Sequence, residues 1–351
     1  MNDQNTASQW ATLSVATFNM LNLALPERSF YANQTPYTSQ EYRRKIDWLG
    51  LQLARLNADL IAVQEVWDEA ALQEAVANSH LHYSTVQAPG AEQGSTGTPR
   101  NGLITRLPLE NLEAIQEFPS EMSVPVPELG EHSRFERPIL KVRVRTRQGQ
   151  VLHVLIAHLK SKRPKFLQDA SGNALEDRDD PVIGVRAALR SLVMRAAEAA
   201  ALRALVVDIL KNTHEPLILM GDLNDGPNAV TTQMVAATAE VAFDRQARDT
   251  ALFNAYDIQT GSVLLRDVAY SHVYQGFAEV LDQIFVSEEF MFDSRFCLGD
   301  VRRVDYFNDH LNEGRDRIRS DHGFVRALLR LRMPAESSAD PRHTPSPIQP
   351  I

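Results

Sequence analysis

Apolar residues recur along the chain in short runs, and several of these runs end on a polar side chain. Leu13 to Phe18 runs into Asn19, Leu60 to Gln64 ends at Glu65, Val151 to Ala157 runs into His158, and Leu217 to Met220 ends at Gly221-Asp222. The near-continuous runs among them predict buried strands. Leu140 to Arg145 differs, because Leu140, Val142 and Val144 alternate with Lys141, Arg143 and Arg145, which predicts a strand with one apolar face. Further strands are expected at Leu103-Ile104, Val280 to Val286 and Phe324 to Leu329, and Asn19-Met20-Leu21-Asn22 reads as an irregular turn after the first strand.

Between the strands the period changes. Tyr42, Ile46, Leu49 and Leu53 recur at helical spacing, and Thr38 with Glu41 has the spacing of a capping box, so a helix is expected over Ser39 to Arg55. A second is expected over Asp68 to Ala77. A long third helix carries Val185, Leu189, Leu192, Val193, Ala196, Leu202, Val206 and Ile209 on its apolar positions and follows an acidic loop, Asp169 to Asp180. Pro89 to Pro99 reads as a loop. Strands outnumber helices without regular alternation, so two packed sheets with helices outside is the expected α+β architecture.

A length of 351 residues would suggest about two domains by a prior of roughly 150 residues each. The candidate chemical residues, however, spread from Asn19 to His322, and one site drawn from both ends of the chain argues for one large domain. We therefore expect a polar segment over 1–10, a single domain over 11–333, and a Pro- and Ser-rich tail over 334–351 with the composition of disorder. Met1 to Gln9 lacks the apolar core of a secretory signal and no apolar stretch has the length to cross a bilayer, so a cytoplasmic protein with no obligate protein partner is expected. One cysteine, Cys297, excludes an internal disulfide and a cysteine-rich zinc site. The formal net charge is −9, so an anionic substrate must be held locally rather than by a general basic field.

Asn19, Glu65, His158 and the cluster Asp222 to Asp225 stand at strand ends, Asp282 lies within Val280 to Val286, and Ser320-Asp321-His322 precedes the last strand. Strand-end loops are where a rigid scaffold displays functional groups. Hydrolysis of a phosphodiester needs a hard cation, an activated water and donors for the developing oxyanion. Carboxylates, an Asp–His pair and amide side chains are all present here. No phosphate loop of the Walker type, paired-histidine zinc helix or Gly-x-Ser-x-Gly elbow competes with that reading.

Seven segments resemble, in order, the motifs of the endonuclease/exonuclease/phosphatase (DNase I-like) superfamily, and they cover roughly Leu13 to Leu331. They are Thr17-Phe18-Asn19, Val63-Gln64-Glu65-Val66, Asn101 to Pro108, Ala157-His158-Leu159-Lys160-Ser161-Lys162, Gly221-Asp222-Leu223-Asn224, Leu281 to Phe285, and Ser320-Asp321-His322. The resemblance implies a four-layer α/β/β/α sandwich. It implies Mg²⁺, with Mn²⁺ as a substitute, held by Glu65 with Asn19 and near Asp321. It implies that His322, oriented by Asp282, acts as base or polarises the phosphate, that Asp222 and Asn224 position the attacking water and the phosphate, and that His158 binds a phosphoryl oxygen. Which of Asp222 and His322 takes the water proton stays open. Leu21 stands where the abasic-site nucleases have an acidic residue, and His158 where they have Tyr, which argues against abasic-site repair. Gln283 replaces a frequent aromatic. The form of the histidine motif is most similar to bacterial nuclease-like members.

For substrate, Lys160, Lys162 and Arg163 directly follow His158 and are candidate phosphate contacts. His272, Tyr274, Tyr306 and Phe307 are candidate base-stacking residues. Arg134 and Arg137 are assigned to the surface, and Asn308-Asp309-His310 is read as a decoy of the final motif. A nuclease is the leading expectation, ahead of a phosphatase or phosphodiesterase for a phosphoinositide, sphingomyelin or nucleotide, and ahead of a non-catalytic binding module.

Overall fold

A computed structural model describes residues 10–31, 34–90, 98–169, 171–261, 265–314 and 316–333. The expected tail, the N-terminal segment up to Gln9 and most of the loop between Pro89 and Pro99 lie outside the described residues.

In chain order the elements are β1 (Trp10–Leu23), α1 (Ser39–Leu56), β2 (Leu60–Val66), α2 (Glu69–Asn78), β3 (Thr85–Gln87), β4 (Arg100–Thr105), β5 (Leu109–Glu117), β6 (Val124–Val126), β7 (Gly130–His132), β8 (Arg134–Arg145) and β9 (Val151–His158). There follow α3 (Pro181–Leu210), β10 (Leu217–Asp222), α4 (Val230–Ala236), β11 (Phe253–Asn254), β12 (His272–Tyr274), β13 (Phe277–Glu279), β14 (Asp282–Val286), β15 (Gly299–Phe307) and β16 (Phe324–Arg332). One sheet has the order β15-β16-β1-β2-β4-β3 and the other β11-β14-β10-β9-β8-β5.

Both sheets use their two faces. Val15, Leu60, Ala62 and Leu103 of the first sheet meet Val142, Val154, Ile156, Ile218 and Ile284 of the second in a shared core. The alternate residues Ala16, Ile61 and Val63 pack under α1 and α2. Leu155, Ala157 and Leu219 pack under α3 and α4. Burial on both faces is why these strands read as continuous apolar runs, and the result is the α/β/β/α sandwich. The capping box at Thr38 and Glu41 is present and sets the start of α1.

Two expectations are corrected. Asn19 to Asn22 is not a turn: β1 continues to Leu23, with a register shift between Asn19 and Leu23 and left-handed backbone at Leu21 (φ 49°) and Asn22 (φ 51°). Val185, Leu189 and Leu192 do not face the core; they stand 71%, 48% and 48% exposed. The first half of α3 instead buries Ala187, Arg190, Ser191 and Met194, and the guanidinium of Arg190 is held by Glu176 and Glu128. Small and paired polar residues let that face approach its neighbours, so hydrophobicity alone pointed to the wrong side. Among the described residues, no helix is long and apolar enough to cross a membrane.

Candidate active site

Strand direction decides which residues can meet. Each sheet contains one central parallel pair, β1 with β2 and β9 with β10. Parallel strands end at the same edge, while their antiparallel neighbours begin there. Functional groups therefore sit at the C-terminal ends of β1, β2, β9 and β10 and at the N-terminal starts of β8, β14 and β16. His158 and Asp222 are register partners across β9 and β10. Asp222 and Asp282 are register partners across β10 and β14. His322 lies two residues before β16 begins at Phe324.

The backbone departs from ideal strand geometry at this edge. Glu65 (φ 62°), Asn224 (φ 56°) and Gly221 (φ 147°) all have positive φ, and the register shifts between Val63 and Val66. Such irregularities re-aim side chains out of a sheet, and they are sustained only where the surrounding structure enforces them. Here the shift lets the Glu65 carboxylate accept the Asn22 N–H at 2.9 Å.

One oxygen joins the two sheets. Asp222 Oδ2 accepts from Asn19 Nδ2 at 3.2 Å, and lies 3.4 Å from His158 Nε2 and 3.8 Å from His322 Nε2. The other oxygen, Oδ1, accepts the Asn224 N–H at 2.8 Å. Asn224 Nδ2 donates to the Leu159 carbonyl at 2.9 Å. His322 Nδ1 is 2.7 Å from Asp282 Oδ2, close enough for a charge-assisted hydrogen bond. Two serines fix this arrangement. Ser271 Oγ accepts the N–H groups of Leu281 (3.0 Å) and Asp282 (2.9 Å). Ser320 Oγ donates to the Asn19 carbonyl at 2.6 Å and accepts the His322 N–H at 3.0 Å.

The two histidines are driven apart electrostatically. Burial would lower the pKa of His322, but the charges of Asp282 and Asp222 outweigh it and hold the imidazole well above its ordinary value. His158 is held well below, by burial first and then by Arg137 and His322. Burial also raises Asp222 and Glu65; Asp282 pushes Asp222 further up, and Asp321 does the same to Glu65. The two imidazoles, alike in chemistry, are thus set toward opposite protonation states, His322 toward the cation and His158 toward the neutral form.

The donor atoms of Asp222, Asp282 and His322 lie within 4.8 Å of one another. We read this cluster as an ion-pair relay rather than a metal cage, because the Nδ1 of His322 already joins Asp282 while its Nε2 faces Asp222. Glu65, Asn19 and Asp321 offer oxygen donors instead. Glu65 is half-buried and within the electrostatic reach of Asp321, and two carboxylates that feel each other's charge suit a hard divalent cation. Asp321 is half-buried and lies on the wall of a cavity of about 200 Å³ that Leu21, Val273 and Arg317 also line. A larger recess of about 830 Å³, between β5, β8 and the C-terminal half of α3, contains none of these residues.

Of the three candidate phosphate cations, Lys162 and Arg163 are exposed. Lys160 is buried, with Nζ 3.3 Å from the Ser161 carbonyl. Arg137 corrects its assignment to the surface. It is buried, donates Nη1 to the Leu159 carbonyl at 3.3 Å, and acts electrostatically on both His158 and Glu65. Lys45 was not singled out in the sequence. Wholly buried in α1, it has a pKa brought down to about 7 by burial, opposed by the charges of Glu65 and Asp321. A lysine on a helical stripe beside Ile46 carries no sequence signal of that placement. His310, read as a decoy, meets the His322 carbonyl with its Nε2 at 2.9 Å, stacks its ring on Phe324 and lines the same cavity as Asp321. Tyr306 and Phe307 pack against the core and Phe324.

Glu198 of α3 supports the site from behind. Its two carboxylate oxygens accept the N–H groups of Glu136 (2.8 Å) and Lys160 (2.6 Å), which flank Arg137 and His158 in sequence. Burial raises its pKa from 4.5 to about 7. A carboxyl raised on folding contributes stability that is present below pH 4.5 and lost as pH rises through about 7. The wild-type chain is therefore expected to lose up to about 3 kcal/mol across this window relative to Glu198→Gln. Denaturant unfolding of both proteins at pH 4.5 and pH 7.5 checks this, and parallel pH dependences would contradict it.

A family model described as the endonuclease/exonuclease/phosphatase family matches residues 16–322. No curated protein matches the sequence significantly. Among solved structures, the endonuclease/exonuclease/phosphatase of Bacteroides vulgatus aligns at 13% identity and a TM-score of 0.54, over 92% of this chain and 99% of that one. The human Nocturnin catalytic domain with bound sulfate aligns at 16% identity and 0.53, over 91% and 96%. A mannosyl-6-phosphatase of Bacteroides thetaiotaomicron aligns at 13% and 0.52, over 90% and 99%. With the family match spanning most of the sequence and the two-sheet sandwich shared with these structures, the chain belongs to the endonuclease/exonuclease/phosphatase family, whose members hydrolyse phosphate esters.

Proposed function

We propose that this protein is a magnesium-dependent phosphodiesterase that cleaves nucleic acid by in-line attack of water. The observation that carries the proposal is the convergence of Asn19, His158 and His322 on one oxygen of Asp222, at 3.2, 3.4 and 3.8 Å. In this reading Asp222, with its raised pKa, takes the proton of the attacking water as the water oxygen bonds to phosphorus; the ester P–O bond breaks, and the leaving oxygen departs as an alkoxide that takes a proton from solvent. His322, cationic and held by Asp282, donates to a phosphoryl oxygen and disperses its developing charge. His158 and Arg137 supply further polar contacts to that group, and Asn224 fixes Asp222. Glu65, Asn19 and Asp321 would hold Mg²⁺, with Mn²⁺ as a substitute; when bound, the ion supplies the positive charge that neutralises the phosphoryl oxygens.

Lys162 and Arg163, exposed just beyond His158, favour a substrate with more than one phosphate. The net charge of −9 favours the second reading, a small phosphate ester. A panel of single-stranded DNA, RNA, plasmid, sphingomyelin and inositol phosphates with magnesium separates the two. We expect cleavage of nucleic acid that chelation abolishes and Mg²⁺ or Mn²⁺ restores. We also expect Mn²⁺ binding, read by electron paramagnetic resonance, to fall at least about tenfold in Glu65→Gln, the usual scale for losing a charged contact. Full turnover after exhaustive metal removal would refute the metal assignment, and turnover of the small esters alone would refute the nuclease reading.

A further inference from the structure

The ribbon formed by β12 and β13 belongs to neither sheet, yet it is fastened to the catalytic residues at its base. Ser271, just before it, donates its N–H to the Glu279 carbonyl and accepts the Gly323 N–H on its own carbonyl, at 2.9 and 2.7 Å. The same residue's hydroxyl holds the Asp282 N–H. His272 forms a bridge with His322, and their rings lie 4.9 Å apart. The ribbon is thus a rigid extension of the Asp282–His322 pair.

Its far end is closed by Gln275 (φ 48°) and Gly276 (φ 85°). Positive φ at both central residues is the signature of the tight turn whose twist matches the flanking strands. Tyr274 and Phe277 are register partners across that turn, as are His272 and Glu279 at the base. Side chains two residues apart share a face. Tyr274 and Phe277 therefore lie side by side on the face that carries His272, about 7 Å beyond it. They are 54% and 75% exposed. An aromatic pair left in water at the end of an anchored ribbon has no packing role. Lys162 reaches the same element, with Nζ 2.8 Å from Glu279 Oε1. One rim of the site thus presents a cation and two π-faces in sequence outward from His322.

We infer that Tyr274 and Phe277 form a stacking platform for an unpaired nucleobase next to the scissile phosphate, so that the preferred substrate is single-stranded nucleic acid. Phosphate contacts at Lys162 and base contacts at the ribbon tip match the alternation of charge and π-surface along such a strand, and stacking of this kind is tolerant of sequence. Base pairing would hide the faces the platform needs. This inference rests on the nuclease reading.

The test uses the full-length wild-type protein and the double variant Tyr274→Ala/Phe277→Ala, whose changed side chains are exposed. Substrates are a single-stranded oligonucleotide, its duplex, and an oligomer with the same phosphates but abasic sugars. The wild type is expected to favour the base-bearing single strand over both, chiefly in KM. The variant is expected to lose this advantage by about 5- to 100-fold, the range for one stacked base. An unchanged ratio of base-bearing to abasic cleavage in the variant overturns the platform while leaving the nuclease reading intact. Failure of the wild type to cleave any of the three overturns both. If the variant instead loses affinity for anionic phospholipid vesicles with its oligonucleotide ratio unchanged, the aromatic pair serves a lipid surface and the inference is wrong.

Discussion

His322→Ala is expected to lower turnover by at least about 10²-fold while leaving the chain folded, the scale on which a positioned acid–base group acts. The expectation follows from two contacts and a charge that no other side chain combines. The imidazole joins Asp282 at 2.7 Å, stands 3.8 Å from Asp222, and is cationic because those two charges overcome its burial. Removing it takes away the proton donor to the phosphoryl group. It also leaves Asp282 and Asp222 buried beside each other with no cation between them, so that Asp222 tends to be protonated in the resting state. Asp222→Asn removes the proton acceptor directly and is expected to cost a similar factor. Because the two residues act as one unit, the double variant should be little slower than either single one. Single-turnover rates on the preferred substrate, with circular dichroism to confirm folding, measure all three. A folded His322→Ala protein with a near-normal rate would remove His322 from the chemistry, and a multiplicative double variant would show that the two groups act independently.

The site's constituents could be read from the sequence because they lie at strand ends, where an apolar run stops on a polar residue. His158 and Asp222 end their strands in this way, Glu65 stands one residue before the end of β2, and Asn19 closes the apolar run of β1 although the strand itself continues to Leu23; Asp282 and His322 stand at or just before a strand's start. What could not be read was the direction of each strand. Arg137 lies near the start of β8, and only the antiparallel pairing of β8 with β9 brings that start level with His158. The same uncertainty hid Ser271, and it hid what Ser320 of the last motif does, since both hydroxyls act on backbone groups distant in sequence. Lys45 is a different case. It belongs to an amphipathic helix and obeys helical spacing, but its burial depends on what packs beneath α1. The exposed Val185, Leu189 and Leu192 show the converse error: helical period identifies a stripe, while the salt-bridged Arg190 decides which side of α3 turns inward.

Gly221→Ala carries the largest expected effect on stability, because two independent costs fall on one methyl group. The first is steric. A Cβ at Gly221 would lie 1.8 Å from the carbonyl oxygen of Ala157 and 2.8 Å from its carbon, backbone atoms of the paired strand with no rotamer to yield. The second is conformational, since φ of 147° is a region that L-residues rarely adopt. Together these are expected to destabilise the protein by about 4 kcal/mol or more, combining the usual scales for overpacking and for backbone strain. Relief would require β9 and β10 to separate at the point where Ala157 pairs with Gly221 and His158 with Asp222. Loss of stability and loss of the 3.4 Å His158–Asp222 approach should therefore appear in the same variant. Gly184→Ala is the control: in the first turns of α3, with nothing within 4 Å of the added carbon, it should be neutral or stabilise by up to about 1 kcal/mol. Urea unfolding of the two variants, with turnover of any folded Gly221→Ala fraction, measures the contrast. If Gly221→Ala were as stable as the wild type, the close approach of β9 to β10 would be wrong, and with it the register that places Asp222 beside His158.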